Sequence, residues 1–124
     1  MEAANIKNEL GTISIADRVI AIFAREAALS TAGIIGMDDR YSHGISSVIS
    51  DEDAEGVRVS VKENLVTLNL YVCVEYGGRI PEIALQLQKS VKENIYTHTE
   101  ITVSEVKVNI EQIVFSDKRL PNGR

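Results

Sequence analysis

The sequence predicts an α+β fold, a two-layer sandwich in which two helices cover one face of a mixed three- to four-stranded sheet. Three observations predict it. Val57, Val59 and Val61, then Val66, Leu68, Leu70, Val72 and Val74, alternate with polar or smaller side chains, the period-two pattern of half-buried strands. Ile80, Ala84, Leu87, Val91 and Ile95 share one stripe at helical spacing. Val106, Val108 and Ile110 return to period two. Hairpin, helix and strand in that order make a strand, helix, strand crossover, expected to be right-handed with its outer strands parallel.

In chain order, residues 1–10 carry no clear period and are expected to form a flexible N-terminus. A single domain should span 11–115. Thr12-Ile13 reads as a short extended piece, and Ser14 with Asp17 three residues on resembles a capping box, so a helix is expected from Ile15 to about Ser30. Its predicted apolar stripe is Ile15, Val19, Ile22, Phe23 and Ala27. Ile34, Ile35 and Met37 could form a short strand. Residues 38–55 lack a sustained period beyond one helical turn around 45–50, and hold six acids (Asp38, Asp39, Asp51, Glu52, Asp53, Glu55) against one base, Arg40. The local charge therefore equals the net charge of the whole 124-residue chain, -5, and reads as a solvated loop or a binding surface.

The hairpin follows, with its turn at Lys62-Glu63-Asn64. The hinge Tyr76-Gly77-Gly78-Arg79-Ile80-Pro81-Glu82 leads into the second helix, predicted over 81–96, where Pro81 suits a first turn and Glu82 faces the positive end of the helix dipole. The last strand should be irregular. Ile101 and Val103 point one way in a period-two count and Val106, Val108 and Ile110 the other, so burying both sets needs a bulge near Ser104-Glu105. Residues 116–124 read as a flexible C-terminal tail.

Composition excludes several functions. Eighteen acids against thirteen bases argue against general affinity for nucleic acid phosphates or anionic lipid. The single cysteine, Cys73, cannot form an internal disulfide, and neither a signal peptide nor a run of 18 apolar residues occurs. The protein is expected in the cytoplasm, with no direct membrane insertion. Asp51, Glu52, Asp53 and Glu55 are hard oxygen ligands, yet their spacing does not match a calcium loop. His43 and His98 each stand alone and read as solvent-facing, and Cys73 has no basic neighbour to activate it. No nucleophile elbow, phosphate loop or dinucleotide fingerprint is present. Thus no enzyme, cofactor or metal is expected. Gly33-Ile34-Ile35-Gly36 has the spacing of a KH-type backbone clamp, which leaves a small RNA-binding module as an alternative, but its middle residues are two isoleucines rather than cations.

Gly11-Thr12-Ile13-Ser14-Ile15-Ala16-Asp17-Arg18-Val19-Ile20 with Ala27-Ala28 and Gly33-Ile34, and Val66 to Tyr76 followed by Gly77, Arg79, Ile80, Pro81, Gln88, Val91, Lys92, Val103, Val106, Val108 and Ile110, resemble the alkaline-shock protein family of Gram-positive bacteria, also called the envelope stress response family. The resemblance covers roughly residues 11–114. It implies a cytoplasmic, non-enzymatic protein of cell-envelope homeostasis that assembles with itself and with other proteins, a small membrane anchor protein among those its relatives use. The alternative the resemblance implies is a regulator of fatty-acid precursor metabolism, to which other relatives are linked. The family supplies no transferable site. Partner-surface candidates therefore come from the residues: Tyr76, Arg79 and Glu82 because a turn entering a helix can expose all three, and Tyr71 because, with Leu65 and Cys73, it lies opposite the Val66 to Val74 set on a sheet face that the helices should leave open.

Overall fold

The computed structural model describes residues 3–38 and 55–115. Its elements in chain order are β1 (Ala3–Asn8), β2 (Gly11–Ala16), α1 (Asp17–Leu29), β3 (Ile34–Met37), β4 (Val57–Lys62), β5 (Leu65–Glu75), α2 (Ile80–Thr99) and β6 (Val103–Val114). The expected α+β sandwich is present. Most of the 38–55 segment, His43 and the residue 45–50 turn included, and the 116–124 tail lie outside the described residues.

β5 is the spine of the sheet. β6 pairs with it in parallel along nearly its whole length, as the crossover requires, while β4 and β3 pair antiparallel with its two halves and so share its other edge in tandem. Tyr71 sits at their junction. Its N–H donates to the Gly56 carbonyl at 2.9 Å and its carbonyl accepts from the Asp38 N–H at 2.8 Å. The β4–β5 connection has two residues, Glu63 and Asn64, both at positive φ (51° and 67°), a twist that matches a tight hairpin.

α1 and α2 pack against each other, α1 over β4 and α2 over β6, on the same face of the sheet. Ile20, Ala24 and Ala28 of α1 and Leu87, Val91 and Ile95 of α2 close over Val66, Leu68, Leu70 and Val72, all fully buried. The α2 stripe is the expected one from Leu87 onward, with Pro81 and Glu82 in its first turn.

The stripe on α1 is as expected at Ala27 and is corrected elsewhere. Its buried residues are Ile20, Ala21, Ala24, Ala27 and Ala28, whereas Val19 is 39% exposed and Phe23 packs at the margin. A face of alanines lets the helix approach both α2 and the sheet closely, so small residues took the core and the larger ones its rim. The helix also starts later than expected and without a capping box, since its N-cap is Ala16 with no side-chain cap. Strand pairing is the reason: Ser14 faces Asn5 and Ala16 faces Ala3, which holds the backbone extended up to Ala16.

That pairing also corrects the flexible N-terminus over the described residues. β1 and β2 form a hairpin, with Ala4 2% exposed and Ile6 and Ile15 packed against the core. It is fastened to the β4–β5 turn, where Asn64 accepts from the Asn5 N–H and donates to the Asn5 carbonyl, both at 2.8 Å.

β6 carries the expected bulge. Register shifts at Ser104, whose hydroxyl donates to the Val66 carbonyl at 2.9 Å, so that Val103 and Val106 are both buried. A second shift, at Glu111, was not anticipated.

Candidate functional site

The side of the sheet away from the helices is where β5 presents Thr67, Asn69, Tyr71 and Cys73, all half-buried. Arg58, Ser60 and Lys62 of β4 and Glu105, Lys107 and Asn109 of β6 lie beside them in register. Asn109 Nδ2 donates to the Leu70 carbonyl at 3.1 Å and lies 3.5 Å from Asn69 Oδ1, tying β6 to β5 across this face. Tyr71 and Cys73 are thus set in a mainly polar surface. Leu65, 61% exposed, continues the apolar line at one end.

The other three candidates gather at the hinge, five residues and roughly 16 Å along the strand from Tyr71. Tyr76 is 54% exposed and stacks on Phe115 with ring centroids 4.6 Å apart and planes inclined by 32°. Arg79 Nε lies 3.4 Å from Glu82 Oε2, with both side chains largely exposed, so solvent screens the pair and its part is to orient rather than stabilise. The hinge itself is fixed from below. Ile83 seats against two glycines, because a Cβ at Gly33 or at Gly78 would come within 2.6 Å or 2.8 Å of its Cδ1. This close approach locks the start of α2 onto the turn that follows α1.

Sequence reasoning missed what completes the hinge. Ile80, Ile113 and Tyr76 line a cavity of about 320 Å³ floored by Val74 and the Gly77-Gly78 backbone. Ile113 and Phe115 come from the end of β6, more than thirty residues after the turn, and an apolar pair closing a strand gives no sign of what it will meet.

His98 is exposed, and it is not isolated: its ring stacks on Phe23 at 4.6 Å and 10° between α2 and α1. Asn94 beside it donates to the Phe23 carbonyl at 2.9 Å and to Glu26 at 3.2 Å, so these side chains clasp α2 to α1. Among the described residues no three His, Cys, Asp or Glu side chains are placed to hold a metal ion. The edge of β6 is blunted for strand addition by its two bulges and by Gln88, whose Nε2 donates to the Val106 carbonyl at 3.0 Å.

Residues 5–115, from the N-terminal hairpin to the Tyr76–Phe115 stack, match the profile of the alkaline-shock protein 23 family, of cell envelope-related function. The chain belongs to this family. Among curated relatives, this alkaline-shock chain is 26% identical over 110 residues to the uncharacterized protein YqhY of Bacillus subtilis, covering 88% of this chain and 82% of that one. It is 27% identical over 111 residues to YloU of the same organism, covering 87% and 92%. A Streptococcus pyogenes protein named as a stress response regulator gls24 homolog is 24% identical over 105 residues, covering 83% of this chain and 59% of that one. Among solved structures, a variant of MamM-CTD aligns with 78% of this chain and 98% of its own at 12% identity and a TM-score of 0.49. Among the described residues no helix is long and apolar enough to cross a membrane.

Proposed function

We propose that this chain is a non-enzymatic scaffold of cell-envelope homeostasis, acting in the cytoplasm by binding other proteins and copies of itself, and reaching the membrane through a partner rather than by insertion. The observation that carries the reading is the sheet face left open by both helices, with the Tyr71 ring half-buried at its centre. Tyrosine in such a place offers a large, stiff apolar surface with a polar tip, the kind of side chain that dominates protein interfaces. The hinge, with exposed Tyr76 and Phe115, is the second surface of this type. Family membership supports the setting, since the family is described by a cell envelope-related function.

The test is a comparison of wild type with Tyr71→Asp, each immobilised and exposed to a Gram-positive lysate whose membrane and soluble fractions are kept apart. Loss of a defined set of bound proteins in the variant, with an unchanged circular dichroism spectrum, is the expected result. Identical recoveries from both, or none from either, would sink the reading.

A further inference from the structure

Among the described residues, every strand edge but one carries a device against further pairing. β3 is short and loses register after Ile34, β4 presents exposed Arg58 and Lys62, and β6 is bulged twice and covered at Val106 by Gln88. β1 is bridged by Asn64, which occupies both the N–H and the carbonyl of Asn5. β2 has none of these.

What β2 leaves unused follows from the register of its hairpin. Because Asn5 turns its N–H and carbonyl outward to Asn64, Asn5 and Ser14 form a non-hydrogen-bonded pair, and the N–H and carbonyl of Ser14 point outward on the other side. Thr12, two residues back, does the same. These groups meet no partner among the described residues, since β2 pairs with β1 alone, and Gly11–Ala16 is uncharged, free of proline and regular throughout its pairing. Ile13 is 50% exposed, on the side of the hairpin where Ile6 and Ile15 press into the core.

We infer that β2 pairs antiparallel with β2 of a second copy, a contact that rests on the self-association proposed above and names the surface that carries it. With Ile13 on the two-fold axis, Thr12 stands against the second copy's Ser14 and Ser14 against its Thr12, so each outward N–H gains a carbonyl. The two Ile13 side chains then cover each other. They form a non-hydrogen-bonded pair with Cα atoms about 4.5 Å apart, and Gly11, which has no side chain, leaves room for the second copy's Ile15. The strand is complementary to itself: it holds no charge to repel its own image or to select a foreign strand, and the isologous contact closes at two copies. The like charges that approach, Glu9 and the second copy's Asp17, lie beyond the strand ends.

Light scattering of the purified full chain over a concentration series compares wild type with Ser14→Pro. Proline suits this place, because the hairpin does not use the Ser14 N–H and the backbone is already extended, yet it removes an outward donor and sets a ring in the path of a second strand. Wild type should pass from monomer to dimer mass as concentration rises, and Ser14→Pro should stay a monomer with an unchanged circular dichroism spectrum. Oxidation of single-cysteine variants checks the register. With Cys73→Ser in place, Ile13→Cys should close a disulfide across the axis, whereas Leu10→Cys, at a position 98% exposed, would lie roughly 20 Å from its counterpart and should not. Random collision would favour Leu10→Cys instead. Association that survives Ser14→Pro in a folded variant, or Ile13→Cys that links no faster than Leu10→Cys, overturns the inference and leaves the scaffold reading standing on another surface. A wild type that is monomeric at every concentration also overturns it, while the Tyr71→Asp comparison in lysate decides the scaffold reading separately. Should Ser14→Pro not fold, the two cysteine variants decide alone.

Discussion

Replacing Gly56 by alanine should destabilise the fold through two separable effects. Gly56 has a φ of +77°, and a Cβ there would stand 2.6 Å from Met37 Cβ and 3.0 Å from the Tyr71 carbonyl oxygen. The dihedral alone costs a residue with a side chain about 1–3 kcal/mol. Crowding adds about 1–3 kcal/mol, because neither obstacle is the free end of a side chain and both belong to the junction where Tyr71 bonds Gly56 and Asp38. The sum, about 2–6 kcal/mol, is a large part of the 5–15 kcal/mol that holds a domain of this size folded. Two other glycines separate the terms. Gly11 has a positive φ, +138°, with nothing within 4 Å, so Gly11→Ala should show the dihedral cost only. Gly36 has neither a positive φ nor a close neighbour, so Gly36→Ala should be near neutral or stabilising by up to about 1 kcal/mol. Urea denaturation of the four proteins gives the ranking from midpoints and slopes. A Gly56→Ala midpoint no lower than that of Gly11→Ala would refute the crowding at the junction, and one equal to Gly36→Ala would refute both terms.

Leu87 is fully buried where α2 meets the sheet, so Leu87→Ala should cost about 2–5 kcal/mol, and an unchanged denaturation midpoint would mean that the helix packs by another face. Asn64→Gly keeps the left-handed turn but removes both hydrogen bonds to Asn5, so amide exchange over residues 3–16 should rise while α2 stays protected. Equal protection of the hairpin in both proteins would show that packing of Ala4 holds it instead. Tyr71→Asp should leave the far-ultraviolet spectrum and melting unchanged within a few degrees, since the ring is only half-buried; a collapse of the fold would make Tyr71 a core residue rather than a surface one.

Period alone made the central unit legible: strict alternation in β4 and β5, a helical stripe in α2, and alternation again in β6 told of a hairpin, a crossover and a return strand. Even the bulge at Ser104 could be read, because Val103 and Val106 cannot both face inward on a regular ladder, and both are buried. Tertiary structure decided wherever two patterns competed or the signal was short. α1 offered Val19, Ile22 and Phe23 as a plausible stripe, and the close approach of α2 selected the alanines instead. β1 has one strongly buried residue, Ala4, too small to announce a strand, and only its pairing with β2 made one. The candidate site divided in the same way. Tyr71, Tyr76, Arg79 and Glu82 could be nominated from local spacing, but the hinge cavity needed Ile113 and the aromatic stack needed Phe115, side chains that meet the turn only after β6 has run the length of the sheet. Local sequence sets which face a residue takes within its element; which faces meet is a long-range property, fixed by how closely the helices can approach each other and the sheet.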